Sequence, residues 1–173
     1  MKKIVLVCGL ISGVLISIMM LYSVTMCYNK ADFEGSMVIG YAAMILAFSL
    51  IFVGIKNYRD KYNQGVIKFG KALKIGLYIT LVASTMYVIV WVIDYYFFVP
   101  DFMDKYCTHL VNQTKATGAG QLEIDKKMAE MARFKEMYKN PFFVVLFTYS
   151  EVLPVGLIIS LISALILKRK ARV

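Results

Sequence analysis

The sequence has 173 residues, 60% of them hydrophobic, with a formal net charge of +9 and a mean hydropathy of +0.66. That length supplies one domain's worth of chain, and its apolar share exceeds that of an ordinary soluble domain, so a membrane protein is expected. Three cysteines (Cys8, Cys27 and Cys107) without a Cys-x-x-Cys pair exclude a disulfide framework or a zinc motif, and a lone histidine, His109, argues against a histidine-based metal site.

Lys2-Lys3 precedes an uncharged run from Ile4 to Asn29. The run is too long for the apolar part of a secretory leader and no small-x-small cleavage site follows it, which predicts a retained span over about 4–28. Val24-Thr25-Met26-Cys27 is a poor lipoprotein box, because Met26 is too large for the position before the cysteine. Gly9 and Gly13 form a Gly-xxx-Gly pair, continued by Ser17, that favours close helix contact. Glycine is common enough in membrane helices that chance explains the pair equally well.

A polar connection containing Asp32 and Glu34 leads to a second span over 36–55, with Ala43 and Ala47 as contact residues. The short connection makes the first two spans antiparallel neighbours. Between Lys56 and Lys74 lie six basic residues, Lys56, Arg59, Lys61, Lys68, Lys71 and Lys74, against Asp60 alone, interleaved with Tyr58, Tyr62 and Phe69. Lys56, Arg59, Lys68, Lys71 and Lys74 are candidate contacts for anionic lipid. The positive-inside rule explains them without any ligand and without nucleic acid, and is the preferred reading. Lys68, Lys71 and Lys74 recur every third residue, as on one face at the start of the third helix.

The third span is expected over 75–97. Trp91, Tyr95, Tyr96, Phe97 and Phe98 at its far end read as an interfacial aromatic belt, with Asp94 as a carboxylate at headgroup level. Pro100 ends the helix or kinks it. From 101 to 140 the chain is expected outside the bilayer as a helical hairpin. Phe102, Tyr106 and Leu110 mark its first helix, Thr117-Gly118-Ala119-Gly120 the break, and Ile124, Met128, Met131, Phe134 and Tyr138 the second. Seven acids and seven bases from Asp94 to Lys139 cancel, which argues against a helix drawn flat onto anionic lipid. The fourth span, 142–167, precedes the basic tail Lys168-Arg169-Lys170-Ala171-Arg172.

Placing both termini and the Lys56–Lys74 connection on one side gathers twelve basic residues there against eight on the other. Both termini are therefore expected in the cytoplasm. The predicted fold is all-α: four transmembrane helices bundled in one membrane domain, with an outer hairpin between the third and fourth.

Several stretches are similar to the domain of unknown function 4199 family. They are Gly40-Tyr41, Ala47 to Asp60 (AFSLIFVGIKNYRD), Pro100 to Tyr106 (PDFMDKY), Phe134 to Pro141 (FKEMYKNP), and Glu151 with Pro154-Val155-Gly156. The similarity runs nearly end to end. It implies a small four-span protein of the inner membrane of a Gram-negative bacterium, and it carries over no catalytic, cofactor or binding residue.

The chemistry of the chain centres on Glu151, roughly 13–15 Å deep at ~1.5 Å rise per residue. An ionisable group there costs about 2.5–3.5 kcal/mol on insertion scales, which makes it a functional-site candidate by default. No basic residue shares its depth, so the neutral acid is the expected state. Three residues on, Pro154 removes the donor to the Ser150 carbonyl. Counting depth along the helices places Ser17, Tyr41, Ser84, Thr85 and Tyr87 near the same level. The leading expectation is a hydrogen-bonded polar node of Glu151, Pro154, Ser84, Thr85 and Tyr41 joining the helices. An oligomeric ion- or proton-coupled transport component using Glu151 is the sharper alternative. A homo-oligomer is the partner it requires. An enzyme is disfavoured: Glu151 lacks a neighbouring nucleophile, base–orienter pair or metal cluster. An accessory role, with a protein partner at the methionine-rich hairpin face of Met128, Met131 and Met137 beside Phe134, completes the set. Cys27 and Cys107 both fall on the outer side, where pairing is chemically permitted.

Overall fold

In a hydrocarbon environment every backbone N–H and C=O must be satisfied within its own segment, which leaves long helices as the solution for uncharged runs of this length. A computed structural model of the chain describes residues 1–30 and 34–169, with the side chains of residue 30 and of residues 34–37 outside the description. Among the described residues there are six helices and no strand: α1 (Lys2–Lys30), α2 (Glu34–Tyr62), α3 (Phe69–Phe97), α4 (Phe102–Ala116), α5 (Gln121–Tyr138) and α6 (Pro141–Leu167). The polar connection around Asp32 and the tail residues Lys170 and Arg172 lie outside the described residues.

Helices α1, α2, α3 and α6 are long and apolar enough to cross a membrane, with mean hydropathies of 2.8, 2.4, 2.0 and 2.2 in their most apolar windows. Between 33% and 50% of each window is buried inside the protein. The remainder is an outward apolar surface that water cannot solvate favourably and lipid can. The two inner helices overrun the expected spans: α2 continues past residue 55 through Arg59 to Tyr62, and α3 begins six residues before Ile75. Lys71 and Lys74 thus lie in the first turns of α3, as their spacing predicts, and Lys68 is its N-cap.

Around the bundle, α1 packs between α2 and α3, and α6 closes the far side against α3 and α2. Close approach depends on small residues. A Cβ on Gly9 would fall 2.7 Å from Val82 Cβ, and one on Gly13 would fall 2.9 Å from Met86 Sδ, so the Gly-xxx-Gly face of α1 is the α3 contact. The α3–α6 seam is tighter still. Gly156 faces Thr80, whose Cγ2 lies 2.3 Å from where a Cβ would be, and Gly76 faces Ser160. Hydroxyls cross the seams: Thr80 Oγ1 and Ser160 Oγ share a hydrogen bond of 3.0 Å, and Ser12 donates to the Ala47 carbonyl at 3.0 Å. Ala43 and Ala47 are buried as expected.

At one end, the α2–α3 turn bends through left-handed Gln64 and Gly65. There Ile67 and Arg169 exchange backbone hydrogen bonds of 3.0 and 2.9 Å. That bridge ties the C-terminal segment to the basic connection, so both lie at the same end of the molecule. At the opposite end α4 and α5 form the hairpin, turning at left-handed Gly118. Met103 and Cys107 of α4 are buried, as are Met131 and Tyr138 of α5, and the Cys107 thiol lies 3.7 Å from the Met131 carbonyl.

The aromatic belt divides. Tyr96, Phe97 and Phe98 are exposed, whereas Trp91 and Tyr95 turn inward. Trp91 packs edge-on to Phe102 at 5.3 Å, and Tyr95 meets Tyr138 at 5.6 Å. Helical spacing separates the first four: residues 91 and 95 share the face that the hairpin covers and residues 96 and 97 do not, while Phe98 lies past the end of α3. Asp94 also departs from the expected solvated carboxylate, because its Oδ2 is buried and has no hydrogen-bond partner among the described residues.

Candidate functional site

The hairpin end of the bundle holds a half-open cavity of about 430 Å3. Its walls come from all six helices. α1 supplies Ile16, Met19, Met20, Ser23 and Val24, α2 supplies Gly40, Tyr41, Ala43 and Met44, and α3 supplies Tyr87 and Trp91. The hairpin provides Phe102, Met103, Tyr106, Phe134 and Tyr138, and α6 provides Phe147, Thr148, Ser150 and Glu151. Among the described residues Glu151 is the one acidic side chain in this lining, and no Lys, Arg or His accompanies it.

Local sequence explains how each wall is held. Asn140 caps α6 by accepting from the Phe142 N–H at 3.0 Å, and Pro141 occupies the first turn, where its missing N–H is harmless. The start of α6 is thereby fixed, and Phe147 is delivered to a stacked cluster with Tyr138 (5.8 Å) and Phe134 (5.2 Å). Pro154 sits inside α6, which stays helical from Pro141 to Leu167. The hairpin is anchored to α1 as well. The Tyr28 hydroxyl donates to Asp101 Oδ1, and Lys105 pairs with Asp101 Oδ2 at 3.4 Å while its Nζ lies 3.4 Å from the Tyr28 ring centre. Lys135 of α5 meets Asp104 of α4 at 2.5 Å.

Electrostatically the site is a carboxyl facing phenols. Glu151 is exposed, and its accessible surface gives onto the cavity. Among the described residues no hydrogen bond or ion pair reaches its carboxyl. Tyr87, Tyr106 and Tyr138 all lie within range of its charge. In the hairpin, burial above all pushes the Tyr106 and Tyr138 phenols up, and Glu151 adds to it, so both stay protonated at neutral pH. Burial also pushes the Cys107 thiol up. Cys27 and Cys107 are both buried and both free.

The structure brings together part of the expected polar node. Glu151 and Tyr41 share the cavity, joined by Tyr87. Ser84 does not line it: its hydroxyl is buried and, among the described residues, without a partner, as is that of Ser17. Thr85 bonds the Leu81 carbonyl at 2.8 Å and the Tyr149 hydroxyl at 2.9 Å instead. Pro154 is exposed on α6. Depth counting fails here because it gives height along a helix but not azimuth. The bonds that do join helices, Thr80–Ser160 and Ser12–Ala47, escaped the sequence reading. Their signal was present: Ala72, Gly76, Thr80 and Ser84 recur every fourth residue on α3, as do Gly156, Ser160 and Ala164 on α6.

Of the candidate lipid contacts, Lys56 and Lys68 are exposed. Arg59 is engaged by Asp60 (2.6 Å) and reaches the Leu167 carbonyl at 3.4 Å. Lys71 lies 5.1 Å from the Tyr58 ring centre and Lys74 5.8 Å from that of Tyr78. Among the described residues no three His, Cys, Asp or Glu side chains gather as a metal site would require.

A family model described as "Protein of unknown function (DUF4199)" matches residues 8–169. No curated protein and no solved structure matches the chain. The similarity seen from Gly40-Tyr41 to Pro154-Val155-Gly156 therefore covers nearly the whole sequence, and the protein, with its four apolar helices, belongs to the DUF4199 family.

Proposed function

We propose that the chain is a non-enzymatic structural or accessory protein of the bacterial inner membrane, with both termini cytoplasmic and the α4–α5 hairpin on the outer side. The observation that carries this reading is the hairpin itself. Its inner face roofs the bundle through Phe102, Phe134 and Tyr138, and Met131 of the methionine stripe is buried, while Leu122 (86%) and Met128 (49%) stay exposed. A protein partner or a second copy of the chain fits that exposed surface. The basic residues at the opposite end, Lys56 and Lys68 among them, suit the headgroups of the cytoplasmic leaflet. Photocrosslinkers placed at Leu122 and Met128 in cells test the role. One intermolecular adduct of the same mass from both positions is expected, and purely intramolecular products would count against a partner.

A second reading, an oligomeric ion- or proton-coupled transport component, is favoured by the Glu151 carboxyl, which faces a cavity and has no ionic partner among the described residues. Liposomes loaded with a pH-sensitive dye separate the two. Equal proton flux for the wild type and Glu151→Gln sinks the transport reading.

A further inference from the structure

We propose that the cavity under the hairpin is a binding site for a monovalent lipophilic cation, of the quaternary phosphonium or aromatic ammonium class, with Glu151 as its counter-charge. The inference rests on the reading of the chain as a membrane protein whose hairpin caps the bundle, and it requires neither transport nor an oligomer.

Size, lining and charge support it together. A volume of about 430 Å3 falls within the range of roughly 300–1,000 Å3 that accommodates drug-sized ligands. The walls are aromatic and thioether groups: Trp91, Tyr87, Tyr106, Tyr138 and Met44 face the same space. Aromatic faces carry a negative quadrupole and attract a cation whose own hydration is weak, Trp most strongly. Methionine side chains adapt to irregular apolar shapes.

Charge fixes the sign of the ligand. Among the described residues the lining holds one carboxyl and no basic side chain, and that carboxyl has no ionic partner. A lipophilic cation supplies the missing partner, brings little desolvation cost of its own, and favours the carboxylate over the neutral acid expected of an unpartnered Glu151, so that binding releases its proton to the medium. An anion of equal shape meets the carboxyl without a compensating cation, and an inorganic cation forfeits its hydration shell to an apolar wall. The Arg59–Asp60 pair and the Lys135–Asp104 pair show the contrast, since each carboxylate there already has its cation.

The molecule contains its own reporter. Trp91 is the sole tryptophan and lines the cavity. Full-length protein in phosphatidylcholine liposomes is titrated with tetraphenylphosphonium and, separately, with tetraphenylborate, which has nearly the same shape and the opposite charge. The expected result is a saturable change in Trp91 emission with the phosphonium alone, and at least tenfold weaker phosphonium binding in Glu151→Gln. Equal responses to both ions, undiminished binding in Glu151→Gln, or no phosphonium response while Trp91 stays shielded from iodide overturns the cation site and leaves the capped fold standing. Trp91 freely quenched by iodide in the ligand-free protein overturns the cap, and the site with it. The probe pair needs only wild-type protein, so a folding defect in the variant does not decide the question.

Discussion

Gly156→Ala is the sharpest test of how the two longest-range helices meet. The added Cβ would lie 2.3 Å from Thr80 Cγ2, 2.9 Å from its Oγ1 and 3.1 Å from its Cβ. Thr80 cannot swing aside. It is buried, β-branched and therefore stiff at χ1 in a helix, and its hydroxyl is bonded to Ser160 at 3.0 Å. The seam must open, and overpacking of this kind costs about 1–3 kcal/mol. Stretching the Thr80–Ser160 bond adds about 0.6 kcal/mol, the mean for interhelical hydrogen bonds in membranes. Against this, replacing glycine by alanine inside a helix gains about 0.8–1 kcal/mol. The net expectation is a loss of roughly 0.6–2.8 kcal/mol, the difference of those terms. Gly40→Ala is the control: a Cβ there meets nothing within 4 Å, so only the helix gain of about 0.8–1 kcal/mol remains. Reversible unfolding in mixed micelles, followed by Trp91 emission, measures both. Gly156→Ala as stable as Gly40→Ala would refute the close approach of α3 and α6.

Three further outcomes follow from the same geometry. Gly9→Ala should destabilise more than Gly13→Ala, because Gly9 meets the stiff Val82 at 2.7 Å and Gly13 meets the flexible Met86 at 2.9 Å; paired unfolding midpoints check the order. The Tyr28 hydrogen bond, then the Lys105 contacts, hold the Asp101 carboxyl below the usual carboxylate range. A depressed value stabilises the hairpin above the unfolded value of about 3.9, and that contribution is lost as pH falls below it. Trp91 emission, sensitive to the Phe102 contact, should therefore shift in acid below about pH 4, and Tyr28→Phe should make that shift shallower. Cys107, buried and with its thiol pushed up, should resist alkylation in the native protein and react fully in dodecyl sulfate, as mass spectrometry would show; rapid native labelling would mean that the hairpin does not cover it.

The apolar runs beginning at Ile4, Ser36, Ile75 and Phe142, the glycine break at 117–120 and the spacing of Phe134 and Tyr138 are local patterns. By themselves they determined four apolar helices and a helical hairpin. Backbone satisfaction in an apolar medium leaves few other structures for such runs, and the lopsided placement of twelve basic residues supplies the expected orientation. Tertiary structure decided the rest. It turned Trp91 and Tyr95 inward while Tyr96 stayed outside, and it sent Thr85 to Tyr149. It paired Thr80 with Ser160 and left Glu151 facing a cavity rather than a hydroxyl network. Sequence fixes a residue's height along its helix at ~1.5 Å per position, but its azimuth depends on how neighbouring helices interlock. In a membrane that interlocking is set by small-residue contacts such as Gly156 on Thr80, because apolar side chains face lipid as readily as they face one another.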